Sequence, residues 1–309
     1  MRSAFVSAVV ELAERDERVV LLTGDLGFTV VEEFVEAFPN RFFNVGVAEQ
    51  NMLGVATGLA EAGFVPFAYS IATFATMRPY EFFRNGALLH ELPVRLVGVG
   101  GGLDYGHNGI THFALEDVAL MRVQPGATIV APADADQARA AVAASASVPG
   151  PIYFRLGRRG DPIDGVDGFA RGRAVVIGAP ADIVLLALGP AAREAVAAAQ
   201  ILSEQGLATT VAVVSSFNPS PDADLLALLE RASLAVTVEV HYRTGALGSY
   251  VCELVAEHGV SCRVVRCGVD RMPRGVTGST DYLQELFGLS PATIAEVVAA
   301  EFAQGRRSG

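Results

Sequence analysis

One carboxylate, Glu49, interrupts an otherwise apolar stretch, FNVGVAEQNMLGVATGLAEAG, with Val45, Gly46, Val47 and Ala48 before it and Met52, Leu53 and Gly54 after it. Removing an ionisable group from water is costly, so its presence there makes it a candidate catalytic group. The plainer alternative is a first-turn glutamate complementing a helix dipole. Phe74, Met77 and Tyr80 recur at a spacing of three in TFATMRPYEFF, which on a helix makes one polarisable face for a core or for a flat ligand. The glycine-rich GVGGGLDYGHNGITHFALEDVALMR adds two imidazoles, His107 and His112, suited to proton transfer near neutral pH. Asp25 and Thr29 stand in a further turn-like segment, TGDLGFTVVEEF. HExxH, CxxC and GxSxG do not occur, and GVGGG lacks the spacing of a dinucleotide loop.

These residues need elements to bring them together. Short Val- and Ile-rich runs (RVVLLTG, RFFNVGV, FVPFAYS, PVRLVGVG, ATIVAPAD, PIYFRL) alternate with helical patterns, the signature of βαβ units and a mainly parallel sheet covered on both faces. In such a sheet ligands bind beyond the carboxyl ends of the strands, where Asp25, Glu49, Phe74 and His112 all fall. The alternation pauses in GRRGDPIDGVDGFARGRA and resumes with ADIVLLAL, ATTVAVVSS, LAVTVEV and SCRVVRCGV. The expected architecture is therefore α/β with two domains, each a mainly parallel sheet flanked by helices: 1–160, a surface linker 161–175, and 176–309.

The chain has 309 residues, and 23 basic against 34 acidic side chains give a net charge of -11. That balance argues against nucleic-acid or anionic-membrane partners, whereas a few local arginines can still hold a small anion. Three clustered cysteines, Cys252, Cys262 and Cys267, suggest a reducing compartment, and no apolar run is expected to reach membrane-spanning length. A cytoplasmic protein is expected.

Taken in order, TGDLG, NVGVAEQNMLGVATGLA, TFATMRPYEFFRN, GITHFALEDVALMR and VEVHYRTGALGSYVCELVAEHG resemble the transketolase family of thiamine-diphosphate enzymes, and more closely the C-terminal subunit of a transketolase encoded as two chains. The resemblance covers nearly the whole chain and implies a pyrimidine-binding domain followed by a transketolase C-terminal domain. It implies that Glu49 hydrogen-bonds ring nitrogen N1′ of the cofactor, which activates the thiazolium carbon for nucleophilic attack. Phe74, Met77 and Tyr80 would stack on the aminopyrimidine, and Asp25 and Leu26 would line the cofactor where it bends. His112 would polarise and protonate the reacting oxygens. Arg2, Thr29 and Arg155 would hold a sugar phosphate, with His107 and Asn108 also on the substrate side.

The family's diphosphate motif, GDG followed by a distant Asn, does not occur here; GDL at Gly24 and GDP at Gly160 come nearest. The implied partner is an N-terminal subunit carrying that motif and a Mg2+ or Ca2+ ion, in an α2β2 assembly. The implied reaction moves a two-carbon ketol unit from a ketose, phosphorylated or not, to an aldehyde. Three positions depart from the sugar-phosphate pattern: Asn108 for Asp, Gly100 for a phosphate-contacting His, and Phe113 for Gln or His. Three other readings stay open: the β chain of a 2-oxo-acid dehydrogenase first component, 1-deoxyxylulose-phosphate synthase chemistry, and a non-catalytic partner subunit. His241 reads as a turn residue or, more sharply, as an interface contact, and the turn residue is the favoured expectation.

Overall fold

The computed structural model describes residues 1–308. Strands form where Val, Leu, Ile and Phe run without polar alternation, because a strand covered on both faces has no side that favours water. The first six are β1 (Val19–Thr23), β2 (Phe42–Asn44), β3 (Val65–Ile71), β4 (Arg95–Val99), β5 (Thr128–Val130) and β6 (Ile152–Leu156). They pair in parallel in the order β5-β6-β4-β3-β1-β2, and every residue of β1, β4 and β6 is buried. The remainder are β7 (Ala174–Ile177), β8 (Ile183–Leu188), β9 (Thr209–Val214), β10 (Ser216–Phe217), β11 (Leu234–Tyr242) and β12 (Arg263–Val269). A second sheet has the order β12-β11-β8-β9-β7, parallel except for β7.

Helices Arg2–Arg15 and Ala135–Ser145 cover one face of the first sheet, with Phe5, Val9, Ala138 and Val142 packed on Phe67 and Phe154. Helix Glu49–Glu61 covers the other through Met52, Leu53 and Ala56. That second cluster runs on without a break to Val184, Leu186, Leu225 and Leu247, so the two halves share apolar packing. The halves are also stitched by β10, which leaves the second half and pairs antiparallel with β5 at Ser216–Val130 and Phe217–Ile129. Two residues have no periodicity, so this strand was invisible in the sequence.

The expected linker is less free than its composition suggests. No helix or strand lies between Leu156 and Ala174, yet Ile163 and Val166 are buried and the Gly168 carbonyl accepts from Gln137 Nε2 at 2.9 Å. At the other end, residues 280–305 are apolar enough, at a mean hydropathy of 1.4, to match a membrane span by length and composition, contrary to the sequence expectation. A turn divides them into helices Thr280–Leu286 and Pro291–Ser308, and their Leu283, Ile294 and Val298 are packed inside the second core.

A buried polar joint closes the contact between the halves. Asp117, at the start of helix Asp117–Arg122, accepts at Oδ2 from Tyr153 OH at 2.7 Å and from Arg155 Nε at 2.8 Å. Arg155 Nη2 reaches across to the Val240 carbonyl at 2.9 Å, and His241 Nε2 lies 3.9 Å from Asp117 Oδ1. His241 is thus a fully buried residue of β11 and not the turn residue expected. Nearby, Glu239 accepts from the Leu247 and Gly248 amides, both at 2.9 Å.

Burial pushes Glu239 up from 4.5 to about 7 and drives His241 down from 6.5 to about 4. Folded Glu239 keeps a proton that the unfolded chain loses above pH 4.5, so its contribution to stability fades as pH rises towards 7. Folded His241 refuses a proton that the unfolded chain accepts below pH 6.5, so its contribution fades as pH falls towards 4. Between pH 4.5 and 6.5 the two slopes oppose. Glu239→Gln leaves the histidine slope alone, so the variant should gain up to about 1.4 kcal/mol per pH unit across that window relative to wild type. Denaturant unfolding at several pH values reads this directly, and parallel pH profiles for the two proteins would refute it.

Candidate active site

The carboxyl ends of β1, β2 and β3 converge on Glu49. After β1, the chain turns through Asp25 with φ of 58° and Thr29 with φ of 66°. Asn44 staples this turn to the next: its Oδ1 accepts from the amides of Asp25 (3.1 Å) and Gly46 (3.0 Å), while its Nδ2 donates to Asp25 Oδ1 at 3.0 Å. Thr23 Oγ1 donates to the Leu26 carbonyl at 2.8 Å. Gly24 brings backbone close to the carboxylate, since a Cβ there would stand 3.6 Å from Glu49 Oε1. Asp25 and Leu26 follow Gly24 directly in this turn.

Glu49 is the first residue of its helix and only 2% exposed. Ser70 Oγ donates to its Oε1 at 3.3 Å, and Arg78 Nη1 donates to its Oε2 at 2.7 Å. The same guanidinium lies 3.8 Å from the centroid of the Phe74 ring. Phe74 meets His112 edge-on, with centroids 5.1 Å apart. Thr111 Oγ1 is 3.0 Å from His112 Nδ1, and among the described residues Nε2 has no hydrogen-bond partner. Glu49, the Phe74 face and a free imidazole nitrogen therefore form one contiguous wall.

The rest of the expected stripe divides. Met77 is 48% exposed and takes a hydrogen bond on Sδ from Thr73 Oγ1 at 3.3 Å. Tyr80 is tied down, its hydroxyl donating to the Leu120 carbonyl at 2.9 Å and accepting from Gln124 Nε2 at 2.6 Å. Pro79 ends the helix Ala72–Met77, so the stripe is carried by two short turns and not by one continuous helix.

On the substrate side the arginines occupy different surroundings. Arg155 is 3% exposed and bound to Asp117, the Ala114 carbonyl and the Val240 carbonyl, and it lines a pocket with Gly101, Asp104 and Arg159. Three residues further on, beyond the end of β6, Arg158 lines an open pocket with Arg2, Asp104, Arg159 and Thr280. Thr29 is exposed and its amide donates to Glu32 Oε1 at 2.7 Å. His107 and Asn108 are exposed on a short turn, Gly106–Asn108, whose Gly106 carbonyl accepts from the Gly278 amide at 3.2 Å.

Tyr105 connects the arginine pocket to the wall. Its ring lies under the Arg158 guanidinium at 5.3 Å and 6.2 Å from the His112 ring. It also fills the space above Gly100, where a Cβ would stand 2.1 Å from Tyr105 Cε2. Tyr69, at the end of β3, is buried with no partner for its hydroxyl, and burial raises its pKa. Sequence reasoning missed Ser70, Tyr69, Arg78, Tyr105 and Arg158. Only the arginines had a legible signal, as cations in or beside motifs already singled out.

The wall offers a flat aromatic face, a buried acceptor beside it, an imidazole for proton transfer, and cations at one end. A planar nitrogen heterocycle that donates to a carboxylate fits the first two, as the planar Arg78 guanidinium in that position demonstrates.

Residues 1–160 match the family model for the transketolase pyrimidine-binding domain, and residues 172–294 match that for the transketolase C-terminal domain. A putative transketolase C-terminal section from Methanocaldococcus jannaschii is 33% identical over 308 residues, which is 97% of this chain and 96% of that protein. A 6-deoxy-6-sulfo-D-fructose transketolase subunit from Clostridium sp. (strain MSTE9) is 37% identical over 307 residues, 97% of this chain and 92% of that protein. A solved structure described as a split gene transketolase, an inactive beta4 tetramer, superposes with a TM-score of 0.88 at 36% identity, with 97% of each chain covered.

Proposed function

The chain belongs to the transketolase family, and from that premise we propose that it is the C-terminal subunit of a two-chain, thiamine-diphosphate-dependent transketolase. It works with an N-terminal subunit that holds the cofactor's diphosphate and a divalent metal, Mg2+ or Ca2+, in an α2β2 assembly. The observation that carries this reading is Glu49, buried beside the open Phe74 face with a planar cation between them. Thiamine diphosphate, when bound, supplies the carbon nucleophile and electron sink for cleaving and forming the carbon–carbon bond.

This chain's residues do the rest. Glu49 accepts from, and exchanges a proton with, the pyrimidine ring nitrogen, held in place by Ser70. Phe74 stacks on the ring and, with Met77, keeps water from it. His112 Nε2 moves a proton at the substrate's reacting oxygen. Arg2, Arg158 and Arg159 orient an anionic end group, phosphate or sulfonate, in the pocket they line. The Clostridium relative acts on a sulfonated sugar, and a terminal anion on the ketose donor here accords with that arginine set.

Two features support the need for a partner: the missing GDG motif, and the relative solved as an inactive tetramer of one chain type. The test begins with a pull-down of the tagged chain from native extract. The retained polypeptide should carry GDG and a downstream Asn, and the reconstituted pair with thiamine diphosphate and Mg2+ should transfer two carbons from an anionic ketose to an aldehyde. Decarboxylation of a 2-oxo acid by the pair would instead establish the dehydrogenase reading.

A further inference from the structure

The reading above gives Arg78 no task. Its side chain is 42% exposed, whereas that of its partner Glu49 is 1% exposed. It reaches in from the open side and makes two contacts at once, a 2.7 Å hydrogen bond to the carboxylate and a 3.8 Å stack on Phe74. A guanidinium is flat, delocalised and edged with N–H donors. Those are the features by which an aminopyrimidine would engage the same two residues. Phe74 at 3.8 Å is already in van der Waals contact, so one face cannot hold both groups.

We propose that Arg78 is a placeholder for the cofactor's pyrimidine ring: it occupies the ring's position in the cofactor-free chain, keeps the Glu49 carboxylate paired and oriented, and is displaced when the ring enters. This inference rests on the thiamine-diphosphate reading. The asymmetry of the pair sets the direction of exchange. Glu49 has no route to water, and leaving it unpaired is costly, so something must always satisfy it. Arg78 is already partly hydrated and loses little by swinging out. Because the ring must compete with Arg78, the apparent dissociation constant exceeds the intrinsic one by the inverse of the fraction of chains whose site is open.

The test is calorimetric titration of thiamine diphosphate, with Mg2+ present, into the reconstituted complex of this chain and its partner, for wild type and Arg78→Ala. Removing the competitor should tighten binding about tenfold, the combined worth of a half-exposed ion pair and a cation–π contact. The melting temperature of the cofactor-free complex should fall while that of the loaded complex holds. Tighter binding from a less stable apo protein is an outcome that a merely structural arginine does not produce. If Arg78→Ala folds poorly, Arg78→Gln, which keeps an N–H donor group for Glu49 without the charge, should show a smaller tightening. Unchanged or weaker binding in the variant that folds overturns the placeholder and leaves the function intact. Failure of the wild-type complex to bind thiamine diphosphate overturns both.

Discussion

Glu49→Gln is expected to lower kcat of the reconstituted complex by about 10²–10⁴-fold, the range for losing a positioned proton-transfer group. The substitution keeps the size of the side chain and an oxygen for the Ser70 hydroxyl. It removes the group proposed to exchange a proton with the ring nitrogen. The fold should not suffer, because the amide leaves no uncompensated buried charge and the half-exposed Arg78 can turn to water. The expected pattern is therefore a fall in kcat with the oligomer unchanged by light scattering. Glu49→Asp, which withdraws the carboxylate by one methylene from Ser70, should fall between the two. A Gln variant within a few-fold of wild type would remove Glu49 from the chemistry altogether.

Asp117→Ala should cost the folded chain about 3–5 kcal/mol, the usual consequence of stranding one partner of a buried ion pair. Asp117 has no exposed side-chain surface, and Arg155 beside it has 4%. Without the carboxylate, a guanidinium stays in the interior with only the Ala114 and Val240 carbonyls, and Tyr153 OH loses its acceptor. The damage should reach the site as well. Asp117 opens the helix whose Leu120 carbonyl fixes the Tyr80 hydroxyl, and that helix follows directly on the loop bearing His112. Denaturant midpoints measure the loss, with Asp117→Asn as the milder comparison because its amide oxygen can still accept from Arg155 or Tyr153. An Ala variant as stable as wild type would show that the joint does not hold the halves together.

The sequence alone singled out Glu49 and determined the architecture. Glu49 was legible because a lone carboxylate stands out in an apolar run, although the side chains that meet it, Ser70 and Arg78, lie far along the chain. The parallel sheets were legible because burial on both faces imposes apolar runs on the strands themselves. What each polar side chain does once folded was decided elsewhere. Arg155 and Arg158 are three residues apart and of one type, yet the first lies within β6, flanked by β4 and β5, and the second lies beyond the strand's end in an open pocket. His241 met Asp117 and β10 met β5 only because two sheets were brought together. Arg78 came to lie over Phe74 because the chain breaks at Pro79 and Glu49, from another helix, draws the cation in. Periodicity is a property of neighbours along the chain, whereas the partner of a buried charge is set by strand order, which only the tertiary structure supplies.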